Sequence, residues 1–126
     1  MSKAITRGVR VQVRSKFVPE RSSPPTSWFF AYEVTIANES DVAVQLVSRE
    51  WIITNGEGVV QTVAGPGVVG EQPRLEPGEA FQYVSACPLD TAVGTMKGHF
   101  VMTTGADERF EAEVAEFVLL DPAAVN

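Results

Sequence analysis

One cysteine and one histidine stand in a chain of 126 residues. The lone Cys87 excludes an internal disulfide framework and any cysteine-built zinc site. Long apolar runs are missing as well: none approaches the roughly 20 residues that cross a bilayer. The opening Met1-Ser2-Lys3-Ala4-Ile5-Thr6-Arg7 lacks the apolar centre of a signal peptide. These absences predict a soluble, cytoplasmic protein without membrane insertion, its Cys87 a reduced and partly buried thiol. Excess positive charge is also absent. The net charge is −6, and phosphate affinity comes from clustered basic residues, which argues against a nucleic-acid partner. The charge is uneven, with +3 over residues 1–49 and −9 over residues 50–126. Helical periodicity is the last absence, although Leu89–Val93 could form a single turn.

What is present is period-two alternation. Val9, Val11 and Val13 share one face, with Arg10, Gln12 and Arg14 on the other. Phe30, Tyr32, Val34 and Ile36 alternate with Phe29, Ala31, Glu33 and Thr35. Val42, Val44 and Leu46 point one way, then Val47, Arg49, Trp51 and Ile53 take the opposite parity, which predicts a bulge near Leu46–Val47. Phe81 with Tyr83, then Met96 to Met102, then Phe110 to Val114 continue the pattern, and parity slips again before Phe117. Turn chemistry separates the runs at Asn38–Asp41, Asn55-Gly56-Glu57-Gly58, Pro77-Gly78 and Gly105–Glu108, and Pro19–Ser27 reads as a loop. The expected architecture is one all-β domain over residues 1–126. It would be an immunoglobulin/fibronectin-III-like antiparallel β-sandwich of about seven or eight strands.

Catalysis needs a nucleophile, a base and a group that orients them. Ser85 or Cys87 with His99 are the only candidates for such a pairing, and nothing in their spacing brings them together. His99 reads better as a strand histidine and Cys87 as a small hydrophobe near a strand end. Acidic residues gather at Asp107, Glu108, Glu111 and Glu113, and at Glu71, Glu76 and Glu79, without the spacing of a calcium loop. A solvated face accounts for them, with weak Mg²⁺ or Co²⁺ association the alternative. No catalytic residue, cofactor or metal ligand is expected.

The segment Gly65-Pro66-Gly67-Val68-Val69-Gly70 is a formal G-x-G-x-x-G. The dinucleotide mechanism requires a helix opening at the last glycine, whose N–H groups hold the pyrophosphate. Pro73 and Pro77 follow instead, so that mechanism is excluded. A nest of N–H groups for phosphate remains, beside a structural or partner-contact role for the loop. The apolar Val63, Val68 and Val69 either tuck into the core or face a partner. Trp28-Phe29-Phe30 is apolar at both parities. That fits a strand buried on both sides, one face against a partner, or homodimerisation through a sheet face or edge.

The ordered blocks Arg49–Thr54, Val63–Pro73, Leu75–Gly78, Phe81–Ser85 and Gly94–Gly98 resemble the bacterial ApaG family over about Val9 to Leu120. The resemblance implies a fibronectin-III-like sandwich. It also implies a protein-interaction role, since the family recurs as a module in eukaryotic F-box proteins and in a DNA-polymerase-interacting protein. It brings a genetic link to cobalt tolerance and magnesium efflux, and no catalytic residues. The function expected is therefore a non-enzymatic module for an unidentified protein partner. Its recognition loop would be Gly65, Gly67, Gly70, Gln72 and Pro73, with Arg49 and Trp51 as contacts. Trp51 has a competing assignment as core packing with Ile53. The rival function is a divalent-cation- or nucleotide-responsive regulator that binds at the same loop.

Overall fold

Alternating apolar residues become two facing antiparallel sheets in a computed structural model that describes residues 1–124. The final two positions of the expected 1–126 unit lie outside the described residues. The strands are β1 (Ser2–Thr6), β2 (Val9–Phe17), β3 (Trp28–Asn38), β4 (Val44–Asn55), β5 (Val60–Pro66), β6 (Arg74–Leu75), β7 (Ala80–Leu89), β8 (Val93–Thr104) and β9 (Arg109–Leu120). One sheet runs β1-β2-β3-β7, the other β5-β4-β8-β9, with β6 paired to β4. The sandwich has nine strands against the seven or eight expected, one of them only two residues long. The Leu89–Val93 stretch forms no helical turn, because Leu89 ends β7, Val93 opens β8 and the residues between them only bend the chain from one to the other.

Inward-facing residues of both sheets make one core. Val9, Val11, Val13, Phe30, Val34 and Ile36 from the first sheet meet Leu46, Met96, Phe100, Met102 and Leu119 from the second, all fully buried. Trp51 sits among aromatic neighbours, with ring centroids 5.4 Å from Tyr32, 5.9 Å from Phe100 and 6.0 Å from Phe117 in edge-on arrangements. Each such pair contributes about 0.5–1.5 kcal/mol beyond its buried area.

The expected bulge is present: the β4–β8 register shifts between Leu46 and Ser48. It reverses parity, so Val44 and Leu46 face inward before it, and Arg49, Trp51 and Ile53 after it. A second shift lies between Met96 and Gly98 opposite β9, which explains the slip before Phe117. Gly98 stands opposite Trp51, where a Cβ would collide with the Glu50 carbonyl oxygen.

The aromatic run in β3 needs neither a second buried face nor a partner. Phe30 points inward, Trp28 donates from Nε1 to Asp121 Oδ2 at 3.1 Å, and Phe29 lies under the Arg21 guanidinium at 4.6 Å. Where β3 leaves its sheet, the buried Asn38 fills all its side-chain capacity. Its Nδ2 donates to Val42 O and Leu75 O, and its Oδ1 accepts from Ser40 N and Oγ.

The two long seams between the sheets differ. Along one, β1 and β2 pack on β9. Ser15 Oγ donates to Val118 O at 2.7 Å, Thr6 Oγ1 accepts from Glu113 N at 3.1 Å, and Arg7 pairs with Glu108 at 3.6 Å. Along the other, β7 faces β4 and β5 with a cleft between them.

Candidate functional site: the open seam at Arg49

The site begins with the bulge in β4. An inserted residue leaves its own backbone groups outside the ladder, and here the Val47 carbonyl accepts from Gly67 N and from Gln72 Nε2, both at 2.9 Å. Leu46 N donates to Pro73 O at 3.0 Å, and Gln45 Nε2 donates to Gln72 O at 3.0 Å. The 67–73 segment is thus laid along β4 and satisfies the bulge.

By turning parity, the bulge also points Arg49 inward. Its Nη1 donates to Pro66 O and Gly67 O, each at 2.9 Å. Gly65 is the β5 residue opposite, and a Cβ there would press on Nη1 and Nη2 at 3.3 Å. The glycine lets the guanidinium lie flat across the strand. Among the described residues no carboxylate reaches Arg49; the ion pairs are Arg7–Glu108, Arg10–Glu39 and Arg74–Glu76, and Glu111 lies against His99.

Gly67 has φ +62°, and a Cβ on it would strike the Glu71 carbonyl. Val68 and Glu71 exchange N–H···O bonds of 2.8 and 2.9 Å around a two-residue turn, Val69-Gly70, both with positive φ. This is the hairpin geometry of a primed turn. Val68 goes into the core, while Val69, a β-branched residue in the left-handed region, stands 53% exposed.

The glycine segment is therefore not a continuous loop. Gly65 and Pro66 belong to β5, and Gly67, Val68 and Glu71 have already spent their N–H groups. The expectation that Trp51 is an exposed contact is corrected, because its ring is 3% exposed and serves the core. Parity turns it inward with Arg49, and only its edge reaches the cleft.

The cleft has two lobes of about 300 and 320 Å³ that share Tyr32, Arg49, Trp51 and Ser85. The first continues over Val63, Cys87 and Met96, the second over Val68, Val69 and Tyr83. A larger cavity of about 620 Å³ lies at one end of the sandwich near Arg7, whose guanidinium is paired with Glu108. Burial raises both cleft phenols above the ordinary tyrosine value. For Tyr32 a hydrogen bond with Ser85 holds the rise back, for Tyr83 the neighbouring Tyr32 adds to it, and Arg49 opposes it in both. The Tyr83 hydroxyl is buried without a hydrogen-bond partner. Cys87 is pushed up to about 11 by burial, so it is a protonated thiol near neutrality.

Ser85 and Cys87 face inward from β7, whereas His99 lies on the outer face of β8 in the other sheet, 3.5 Å from Glu111. No Ser–His or Cys–His pair forms. Among the described residues no three His, Cys, Asp or Glu side chains converge; Glu108 pairs with Arg7, Glu76 pairs with Arg74, and Glu111 lies 3.5 Å from His99. Sequence reasoning missed Tyr32, Tyr83 and Ser85 as cleft residues. Their shared inward parity on adjacent strands was the available signal.

Fold and site together define a β-sandwich protein whose sheets part along one seam around the Arg49 guanidinium, which no carboxylate among the described residues reaches. The ApaG domain model matches residues 19–104. A Protein ApaG of Methylobacterium radiotolerans is 54% identical over 123 residues, 97% of this chain and 95% of that one. A Protein ApaG of Anaeromyxobacter sp. strain K is 48% identical over 126 residues, the whole of both chains. The crystal structure of an ApaA protein from Bordetella pertussis superposes with a TM-score of 0.88 at 47% identity, covering 90% of this chain and 94% of that one. The chain belongs to the ApaG family.

Proposed function

We propose that the chain is a non-enzymatic binding module, a single ApaG-like domain acting in the cytoplasm, which recognises a protein partner through its open seam. The observation that carries this reading is the 67–70 turn. The bulge and Arg49 hold it rigidly, yet it presents Val69 outward in a backbone conformation that a β-branched residue resists. Local strain that surrounding structure over-determines gathers at functional positions. Gln72 and Pro73 flank the turn, and Arg49 stands behind it. On this reading the family's link to cobalt tolerance and magnesium efflux is indirect and runs through the partner.

Gly67→Asp is a poor probe, because any Cβ at Gly67 meets backbone. Val69→Asp changes the exposed tip, and Asp tolerates the left-handed region. Pull-downs with the wild-type chain and a folded Val69→Asp variant should share no specific partner. Retention of the same partners by Val69→Asp would overturn the reading. The cation- or nucleotide-responsive alternative gains no support from the turn, where three amides are already bonded internally.

A further inference from the structure

We propose that the open-seam cleft binds a single terminal oxyanion, a carboxylate or phosphate group carried on an otherwise uncharged body. The guanidinium of Arg49 and the hydroxyl of Tyr83 would hold the anion. This deepens the binding-module reading and rests on it for the location of the surface. A cleft without oxyanion affinity ends this inference and leaves the surface reading standing.

Arg49 supplies the charge. Nη1 is committed to Pro66 O and Gly67 O, which fixes the plane of the guanidinium. Nη2 and Nε have no protein acceptor among the described residues. A planar guanidinium with free parallel donors is the natural receptor for a carboxylate or phosphate. In a chain of net charge −6, a half-buried arginine that no carboxylate neutralises is a charge left open.

Tyr83 is the second, independent observation. Its side chain is 93% buried, being 7% exposed, and its hydroxyl meets no acceptor. Leaving a buried hydroxyl unsatisfied costs about 1–3 kcal/mol. Tyr83 and Arg49 line the same lobe, so one anion there would accept from both. The remaining walls mix apolar Trp51, Val63, Val68 and Met96 with polar Tyr32, Gln61 and Ser85, and none of them is charged, which suits an uncharged body. Of the turn amides, Gly67, Val68 and Glu71 already donate to backbone carbonyls, which leaves only those of Val69 and Gly70 at the exposed tip.

The test is an amide NMR titration of the whole chain with phenyl phosphate, phenylacetate and, as the neutral control, phenylacetamide. Saturable shifts at Gly65–Gly70 and Ser85–Cys87 are expected with at least one anion and absent with phenylacetamide. The anion that binds tells phosphate from carboxylate. Tyr83→Phe keeps the ring and should weaken binding about fivefold, the effect of one hydrogen bond, and Arg49→Lys should weaken it further by losing the planar fork. If Arg49→Lys does not fold, Tyr83→Phe decides. No saturable shift with either anion, equal shifts with phenylacetamide, or an unchanged affinity in Tyr83→Phe would overturn the proposal.

Discussion

Along β9 the two sheets are tied by Ser15 to the Val118 carbonyl, by Thr6 to the Glu113 amide and by the Arg7–Glu108 pair. Along β5 and β7 they part around Arg49, and the polar groups there, Tyr83 and Arg49, keep unfilled hydrogen-bonding capacity. Both seams close the same core, and both edges carry exposed valines. The difference lies in what their polar groups do. On the closed seam Ser15, Thr6 and Arg7 are spent on ties between the sheets, although the buried Ser2 hydroxyl of β1 has no partner, whereas on the open seam both a hydroxyl and a guanidinium are held ready in fixed positions. Substitutions on the closed seam should therefore cost stability alone, and those on the open seam should separate stability from binding.

The largest effect breaks the comparison at its common floor. Trp51→Ala removes the ring on which Tyr32, Phe100 and Phe117 meet, and should cost roughly 3–5 kcal/mol in urea denaturation. A loss below about 1 kcal/mol, the range of an ordinary surface change, would mean that Trp51 serves the cleft rather than the core. Next are the turn glycines. Both have positive φ, but a Cβ at Gly67 meets the Glu71 carbonyl while one at Gly70 meets open space. Gly67→Ala should cost about 2–3 kcal/mol and Gly70→Ala about 1 kcal/mol, with thermal unfolding as the measure. Equal costs would show that the turn does not press on the bulge.

Smaller effects sharpen the contrast between seams. Ser15→Ala on the closed seam should lose about 1 kcal/mol, the value of one hydrogen bond. Tyr83→Phe on the open seam should leave stability unchanged or raise it by up to about 1 kcal/mol, because it deletes an unsatisfied buried hydroxyl. One further effect appears only at high pH. The folded Cys87 thiol stays protonated up to about 11, above its ordinary 9.0. The unfolded chain therefore releases that proton first, and stability falls as pH rises from about 9 towards 11. Denaturation midpoints across that range should fall less steeply in Cys87→Ala, and Cys87 contributes no slope below it.

Much of this architecture was legible as alternation, because one face of each long strand is buried and polar residues occupy the other. Even the bulge at Leu46–Ser48 was visible, since an inserted residue inverts the inward set. β5 was not legible: as an edge strand beside an open cleft, Val60–Pro66 is mostly exposed and shows no apolar period. β1 was obscured for a different reason: its inward positions Ser2, Ala4 and Thr6 are small or polar, while its apolar Ile5 is exposed. The glycine segment was readable only in part. Its helix-based nucleotide mechanism fell to Pro73 and Pro77. That Gly65 faces a guanidinium and Gly67 a carbonyl depends on the β4–β5 register, which no local pattern encodes. Trp51 was ambiguous because the inverted parity that buries it also turns Arg49 inward. Tyr83 looked like ordinary core, and only the fold shows its hydroxyl without a partner.

The central claim is that recognition occurs at the open seam, and two valines of nearly equal exposure make it testable. Val69 on the open seam is 53% exposed and Val118 on the closed seam is 51% exposed. A photo-crosslinking residue placed at each position in turn, and activated in living cells, reads out which seam meets a partner. A specific adduct at position 69 and none at position 118 is the predicted result. Equal adducts at both positions, or an adduct at 118 alone, would contradict it.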